Sequence, residues 1–251
     1  MAVMRTPQAI DESLGEPSCS RRLAGVDWAM AGKALDDMGY AHLPGLLSPE
    51  QCREVAGWYD DDRRYRSTVV MSRHGFGQGE YKYFAYPLPR LVATLRQQAY
   101  PPLAEVAIRW AALLGDAPGY PGTLDQFIAE CHAADQHRPT PLILRYEAGG
   151  HNRLHQDLYG EIAFPLQLAI LLSEPGHDFA GGEFILAEQR PRMQSRAEVV
   201  PLARGDAVVF AVNERPVKGT RGYYRARMRH GVSTIRSGQR STLGIIFHDA
   251  R

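Results

Sequence analysis

Long apolar runs are missing from this chain. None approaches the roughly 20 residues needed to cross a bilayer, so no membrane partner is expected. Cysteine is scarce. Cys19, Cys52 and Cys131 are odd in number and far apart, which excludes a disulfide framework and points to reduced thiols in a cytoplasmic protein. The N-terminus lacks a basic head followed by an apolar core, so no signal peptide is expected. Zinc-ligand spacing is absent too: Cys131, His132 and His137 have no partners at the required intervals. The glycine-rich stretch Gly75-Phe76-Gly77-Gln78-Gly79-Glu80 lacks the third glycine and the following helix of a dinucleotide fingerprint. Internal repeats and low-complexity tracts are also absent.

Acid is missing locally. The chain as a whole is nearly neutral, at +1, yet Arg215 to Arg240 holds eight Lys or Arg residues and no Asp or Glu. Arg190, Arg192 and Arg196 form a second basic cluster just upstream. Such a run attracts a polyanion such as a phosphate backbone. It also suits a solvated strand pair whose arginines neutralise acidic loops.

The remaining texture divides at about residue 140. Residues 1–25 are polar and expected to be disordered, and 26–251 are read as a single domain. Within it, 26–140 supplies helical support and a substrate loop, and 141–251 a β core. Helices are predicted from Trp28 to Met38 and, behind the capping box Ser48-Pro49-Glu50-Gln51, to about Tyr59. Ala41–Leu43 and Arg64–Met71 read as extended. Apolar spacing from Leu88 to Leu114 predicts two helices meeting at Pro101-Pro102. Strands are predicted at Leu142–Tyr146, Ile162–Leu172, Glu183–Ala187, Glu198–Pro201, Ala207–Ala211, Arg225–His230 and Thr242–Phe247. The fold class is therefore mainly β (α+β), a sandwich or jelly roll buttressed by N-terminal helices.

Among nine histidines a single His-x-Asp occurs, His155-Gln156-Asp157, and about one is expected by chance. On an extended segment residues i and i+2 point the same way. A third ligand, His230, would complete a 2-His-1-carboxylate face that leaves positions open on non-haem Fe(II). Arg240 and Thr242, two apart on the last predicted strand, share one face. The planar fork of an arginine suits a carboxylate held by two charge-assisted hydrogen bonds. Tyr146, at the end of the preceding apolar strand, could donate to the same carboxylate.

This ordered set resembles the Fe(II)/2-oxoglutarate-dependent dioxygenase superfamily over about residues 140 to 250. The resemblance implies a double-stranded β-helix with Fe(II) held by His155, Asp157 and His230. It also implies 2-oxoglutarate held by Arg240, Tyr146 and Thr242, and O2 as oxidant. Asp178-Phe179-Ala180-Gly181-Gly182-Glu183-Phe184 and Gly205-Asp206-Ala207-Val208-Val209-Phe210 resemble turns entering core strands of that fold. More narrowly, several blocks are similar to a bacterial family of oxygenases acting on damaged nucleic acid. They include His74-Gly75-Phe76-Gly77-Gln78-Gly79-Glu80-Tyr81, His155-Gln156-Asp157-Leu158-Tyr159-Gly160 and Leu243-Gly244-Ile245-Ile246-Phe247-His248-Asp249.

Two substrate classes follow. The first is oxidative dealkylation of alkylated nucleobases in single-stranded DNA or RNA, as in AlkB-like enzymes. A base taken out of its stack needs flat side chains around it. Tyr81, Tyr83, Phe84 and Tyr86 form an aromatic cluster with Lys82 inside it, suited to stacking and phosphate contact. Tyr159 is a further substrate candidate, and Arg225 and Arg227 would hold the backbone. The second is hydroxylation of a peptidyl or free amino acid. The ten residues from His230 to Arg240 resemble the spacing of prolyl hydroxylases, whereas AlkB enzymes place the arginine further along. A cupin-like binding module would need no dicarboxylate clamp.

Overall fold

The computed structural model describes residues 16–116 and 119–251. Two antiparallel sheets face one another. The larger has seven strands in the order Tyr40–Leu43, Ala207–Ala211, Leu166–Leu171, Arg240–Ile245, Leu142–Tyr146, Glu80–Phe84 and Tyr65–Val70. The smaller runs Arg196–Val200, Phe184–Gln189, Gly222–Val232, His151–His155 and Gly77–Gln78, with Glu214–Gly219 pairing to the long strand Gly222–Val232. This is the double-stranded β-helix.

The central strands of the larger sheet, Leu166–Leu171 and Arg240–Ile245, are buried at every position. Continuous burial means both faces are covered, one by the opposing sheet and the other by helices. The covering helices are Trp28–Met38, Pro49–Gly57 and Arg90–Leu114. Ser48 caps the second through the expected reciprocal pair. Its hydroxyl accepts from the Gln51 N–H at 3.2 Å, and Gln51 Oε1 accepts from the Ser48 N–H at 3.0 Å. Gly39 closes the first in the left-handed region, at φ +80°.

Three expectations are corrected. The segment expected to be disordered to about residue 25 is helical from Glu16 to Ala24, with Cys19 and Leu23 buried; residues 1–15 lie outside the described residues. The two helices expected to meet at Pro101-Pro102 are one, Arg90–Leu114. The prolines remove N–H donors to the carbonyls of Gln97 and Gln98, but both residues face solvent, where water satisfies those carbonyls. Burial of Leu95, Ala99, Leu103, Ala104 and Ala107 on the other face keeps the helix whole. Third, the loop expected after the extended segment Arg64–Met71 contributes strands. Tyr65–Val70 is extended as expected, but Glu80–Phe84 joins it in the larger sheet and Gly77–Gln78 joins the smaller one.

Candidate metal centre

The site is assembled from cross-strand pairs. His155 faces His230 in the register of the smaller sheet, and Tyr146 faces Arg240 in the larger. Each pair joins residues remote in sequence. Between the sheets lies a cleft of about 910 Å³ including its open mouth, lined by all four residues together with Asp157, Thr242, Tyr81, Tyr159 and Phe76.

At its floor His155, Asp157 and His230 bring one ligand atom each within 4.8 Å of one another. Asp157 Oδ1 is 3.4 Å from His155 Nε2, and Oδ2 is 3.3 Å from His230 Nε2. Adjacent ligands around an ion with bonds of about 2.1 Å lie about 3 Å apart, so the set fits a single divalent metal. His155 Nδ1 lies 2.7 Å from the Arg153 carbonyl, which fixes a proton there and leaves Nε2 as the ligating nitrogen. Phe210 and Phe184 pack on the His230 ring, with centroids at 4.6 and 6.1 Å.

The carboxylate is held from outside the triad. Tyr159 donates to Asp157 Oδ1 at 2.6 Å and Gln167 Nε2 to Oδ2 at 2.9 Å. Burial alone would raise the Asp157 pKa. Hydrogen bonds and charge from the two histidines outweigh it and hold the carboxyl well below the usual range. Burial lowers the His230 pKa, which favours the neutral, ligating imidazole. Gln167 was not foreseen. Its signal in the sequence is a lone polar residue inside the apolar strand Leu166–Leu171.

Above the triad sits Arg240, 1% exposed. Its Nη1 donates to Thr242 Oγ1 at 2.6 Å, its Nε has no partner, and no carboxylate pairs with it among the described residues. Burial lowers its pKa to about 10. The Tyr146 hydroxyl beside it is buried, with Asn152 as its polar neighbour. A guanidinium without a counter-charge is costly to bury, and the arrangement suits an anion entering from outside.

The expected substrate residues divide. Tyr81 and Tyr159 line the cleft. Tyr83 lies behind them, edge-on to both, with centroids at 5.3 and 6.1 Å. Lys82 points through the sheet the other way, donating to the Tyr59 carbonyl and to Asp62 at 2.7 Å, so it does not reach the cleft. Strand alternation is the reason. Arg225 and Arg227 alternate with the buried Ala226 and Met228 and therefore face outward. Arg225 is held by Asp116 at 2.6 Å and Glu214 at 3.0 Å. Arg227 is exposed on that outer face, away from the metal site.

A family model described as "Oxygenase, catalysing oxidative methylation of damaged DNA", Oxygenase-NA, matches residues 79–250. The chain belongs to this family. Two uncharacterised proteins of Mycobacterium tuberculosis, MT2286 of strain CDC 1551 / Oshkosh and Rv2227 of strain ATCC 25618 / H37Rv, are each 47% identical over 191 residues. That covers 75% of this chain and 82% of each relative. Among solved structures the Oxygenase-NA chain is similar in fold to a 2OG-Fe(II) oxygenase family oxidoreductase from Burkholderia pseudomallei. The TM-score is 0.53 and the identity 14%, over 90% of this chain and 92% of that one. A prolyl hydroxylase from Trichoplax adhaerens, in complex with a hypoxia inducible factor peptide fragment, matches with a TM-score of 0.51 and 13% identity, over 96% of each chain. By family the protein is an oxygenase, and its fold is one shared with 2OG-Fe(II) oxygenases. Among the described residues no helix is long and apolar enough to cross a membrane.

Proposed function

We propose that this protein oxidatively dealkylates damaged nucleobases, taking DNA or RNA as a single strand into the cleft beside the triad. The observation that carries the chemistry is Arg240, buried, without an acidic partner, and lining the same cleft as His155, Asp157 and His230. A five-carbon dicarboxylate answers both needs. One carboxylate would meet Arg240, Thr242 and Tyr146, and the 2-oxo acid end would reach the metal. Bound at the triad, Fe(II) with 2-oxoglutarate and dioxygen supplies the oxidant, and 2-oxoglutarate leaves as succinate and carbon dioxide.

The family's description, oxidative methylation of damaged DNA, supports the substrate class. The direction follows from atom balance. Insertion of one oxygen into an N-methyl C–H bond gives an N-hydroxymethyl group, which breaks down to the free base and formaldehyde. Oxygen insertion therefore removes a methyl group and cannot add one. The chain's own residues bind and orient. Tyr159 and Gln167 hold Asp157 in place. Tyr81 presents a flat wall to the substrate, and Phe184 and Phe210 keep water from the His230 side.

Hydroxylation of a peptidyl or free amino acid is the second reading, favoured by the ten residues between His230 and Arg240. One experiment separates the two. The protein with Fe(II) and 2-oxoglutarate is incubated with N-methylated oligonucleotides and, separately, with proline-containing peptides, and the products are weighed by mass spectrometry. Loss of 14 mass units (about one CH2) from the oligonucleotide, with formaldehyde and succinate, is the expected result. A gain of one oxygen on the peptide and none on the oligonucleotide would overturn the nucleobase reading.

A further inference from the structure

The loop Met71 to Gly79 lies at the lip of the cleft, which Phe76 lines. Two of its three glycines, Gly77 and Gly79, are there for close approach. A Cβ on Gly77, at φ +138°, would stand 2.3 Å from the His151 carbonyl oxygen. One on Gly79, at φ +148°, would stand 2.6 Å from the Tyr146 ring. Gly77 and Gln78 pair with Asn152 and His151, and the Arg153 N–H donates to the Phe76 carbonyl at 2.9 Å. The loop is therefore laid flat against the strand that carries His155.

Phe76 is fixed by this arrangement, yet its side chain is unpacked. It lines the cleft and is 47% exposed, an unusual state for a phenyl ring beside a buried site. His74 stacks behind it, with centroids 5.4 Å apart and planes 24° from parallel. Arg73 precedes it by three residues, and Arg153 is joined to it through the backbone, the Arg153 N–H donating to the Phe76 carbonyl. Both are exposed and neither has an ion pair among the described residues. Some other exposed arginines are engaged, Arg225 with Asp116 and Glu214, Arg196 with Glu198 and Arg236 with Glu183. Arg221, Arg227 and Arg229 on the outer face, by contrast, have no ion pair among the described residues.

We propose that Phe76, backed by His74, is the stacking platform for the base that enters the cleft, and that Arg73 and Arg153 hold the phosphates on either side of it. This rests on the nucleobase reading above and moves the nucleic-acid contact from the outer arginine face to the lip. A flat ring with one open face accepts any base, and two exposed arginines without ion pairs on the adjoining backbone suit a phosphodiester.

The test uses the full chain loaded with Fe(II) and 2-oxoglutarate without oxygen, and a fluorescent N-methylated single-stranded oligonucleotide read by anisotropy. Phe76→Ala should weaken binding by roughly 5- to 100-fold, while Phe76→Trp should keep the affinity and show quenched indole emission on binding. Arg73→Gln with Arg153→Gln should flatten the salt dependence by about 1.4 in log–log slope, the share of two phosphates on a single strand. Calorimetric binding of 2-oxoglutarate should be unchanged in all three. If the unaltered protein binds no oligonucleotide at low salt, the nucleobase reading fails and this inference with it. If it binds and Phe76→Ala binds equally well, the inference alone is overturned.

Discussion

At the scale of single residues the site depends on groups that make sense only with a ligand between them. His155→Ala, Asp157→Ala and His230→Ala should each abolish succinate formation and remove the single high-affinity Fe(II) or Mn(II) site seen by calorimetry. Full turnover in any one variant would take that residue out of the ligand set. Burial lowers the His155 pKa, but hydrogen bonding and charge from Asp157 outweigh it and leave it raised. A proton therefore competes with metal at His155 first. Metal affinity should fall as pH drops through a range starting above that of a free histidine. In the metal-free Asp157→Asn variant the His155 imidazole, followed by NMR, should titrate at lower pH than in the metal-free parent. Arg240→Ala should leave metal binding intact and raise the 2-oxoglutarate requirement, since the lost charge-assisted pair is worth about 2–4 kcal/mol in a dry site. An unchanged apparent KM for 2-oxoglutarate would remove Arg240 from that role. Arg240→Lys should recover part of the loss, because a point charge replaces the fork.

At the scale of elements, turns and paired strands hold these residues in place. Gly79→Ala introduces a carbon 2.6 Å from the Tyr146 ring at a backbone angle that side chains rarely adopt. The ring must move, so this variant should bind 2-oxoglutarate more weakly while its Fe(II) affinity stays within a few-fold. Equal loss of both would mean that the loop supports the fold and not the tyrosine. Elements of this kind were unevenly legible in the sequence. Strands Leu142–Tyr146 and Ala207–Ala211 stand where apolar runs between Gly, Pro and Asp predict them. The residues proposed for metal and co-substrate, which the fold brings to one cleft, stood out in the sequence because that chemistry restricts both type and spacing. Lys82 was misread because neighbours in sequence point to opposite faces of a strand. Glu214–Gly219 was missed because Pro216 argues against a central strand; it is tolerated here, where the strand pairs on one side only. The partners of Arg225 could not be read at all, since Asp116 is over a hundred residues away and meets it only in the fold.

At the scale of the whole molecule, the end of the chain is tied to the long helix by a buried ion pair. Arg96 Nη2 donates to Asp249 Oδ1 at 2.8 Å and its guanidinium also reaches the carbonyls of Ile246 and Phe247. His132 and Tyr86 contact the other carboxylate oxygen at 3.0 Å each. Asp249→Ala would leave a buried guanidinium without its counter-charge, and such losses cost about 3–5 kcal/mol. The urea midpoint should drop accordingly, with the metal site of the folded fraction unchanged. A midpoint within experimental error of the parent would show that water replaces the carboxylate.

The cross-strand pairing of His155 with His230 and of Tyr146 with Arg240 also bears on how the protein is made. During synthesis, His155 and Asp157 emerge from the ribosome long before their partners. Until residues 230 and 240 follow and the two sheets zip, the nascent chain offers two ligands and no clamp. A metal held by all three groups can therefore enter only after residue 230 has emerged and paired, and a fragment that stops short of it lacks the third ligand.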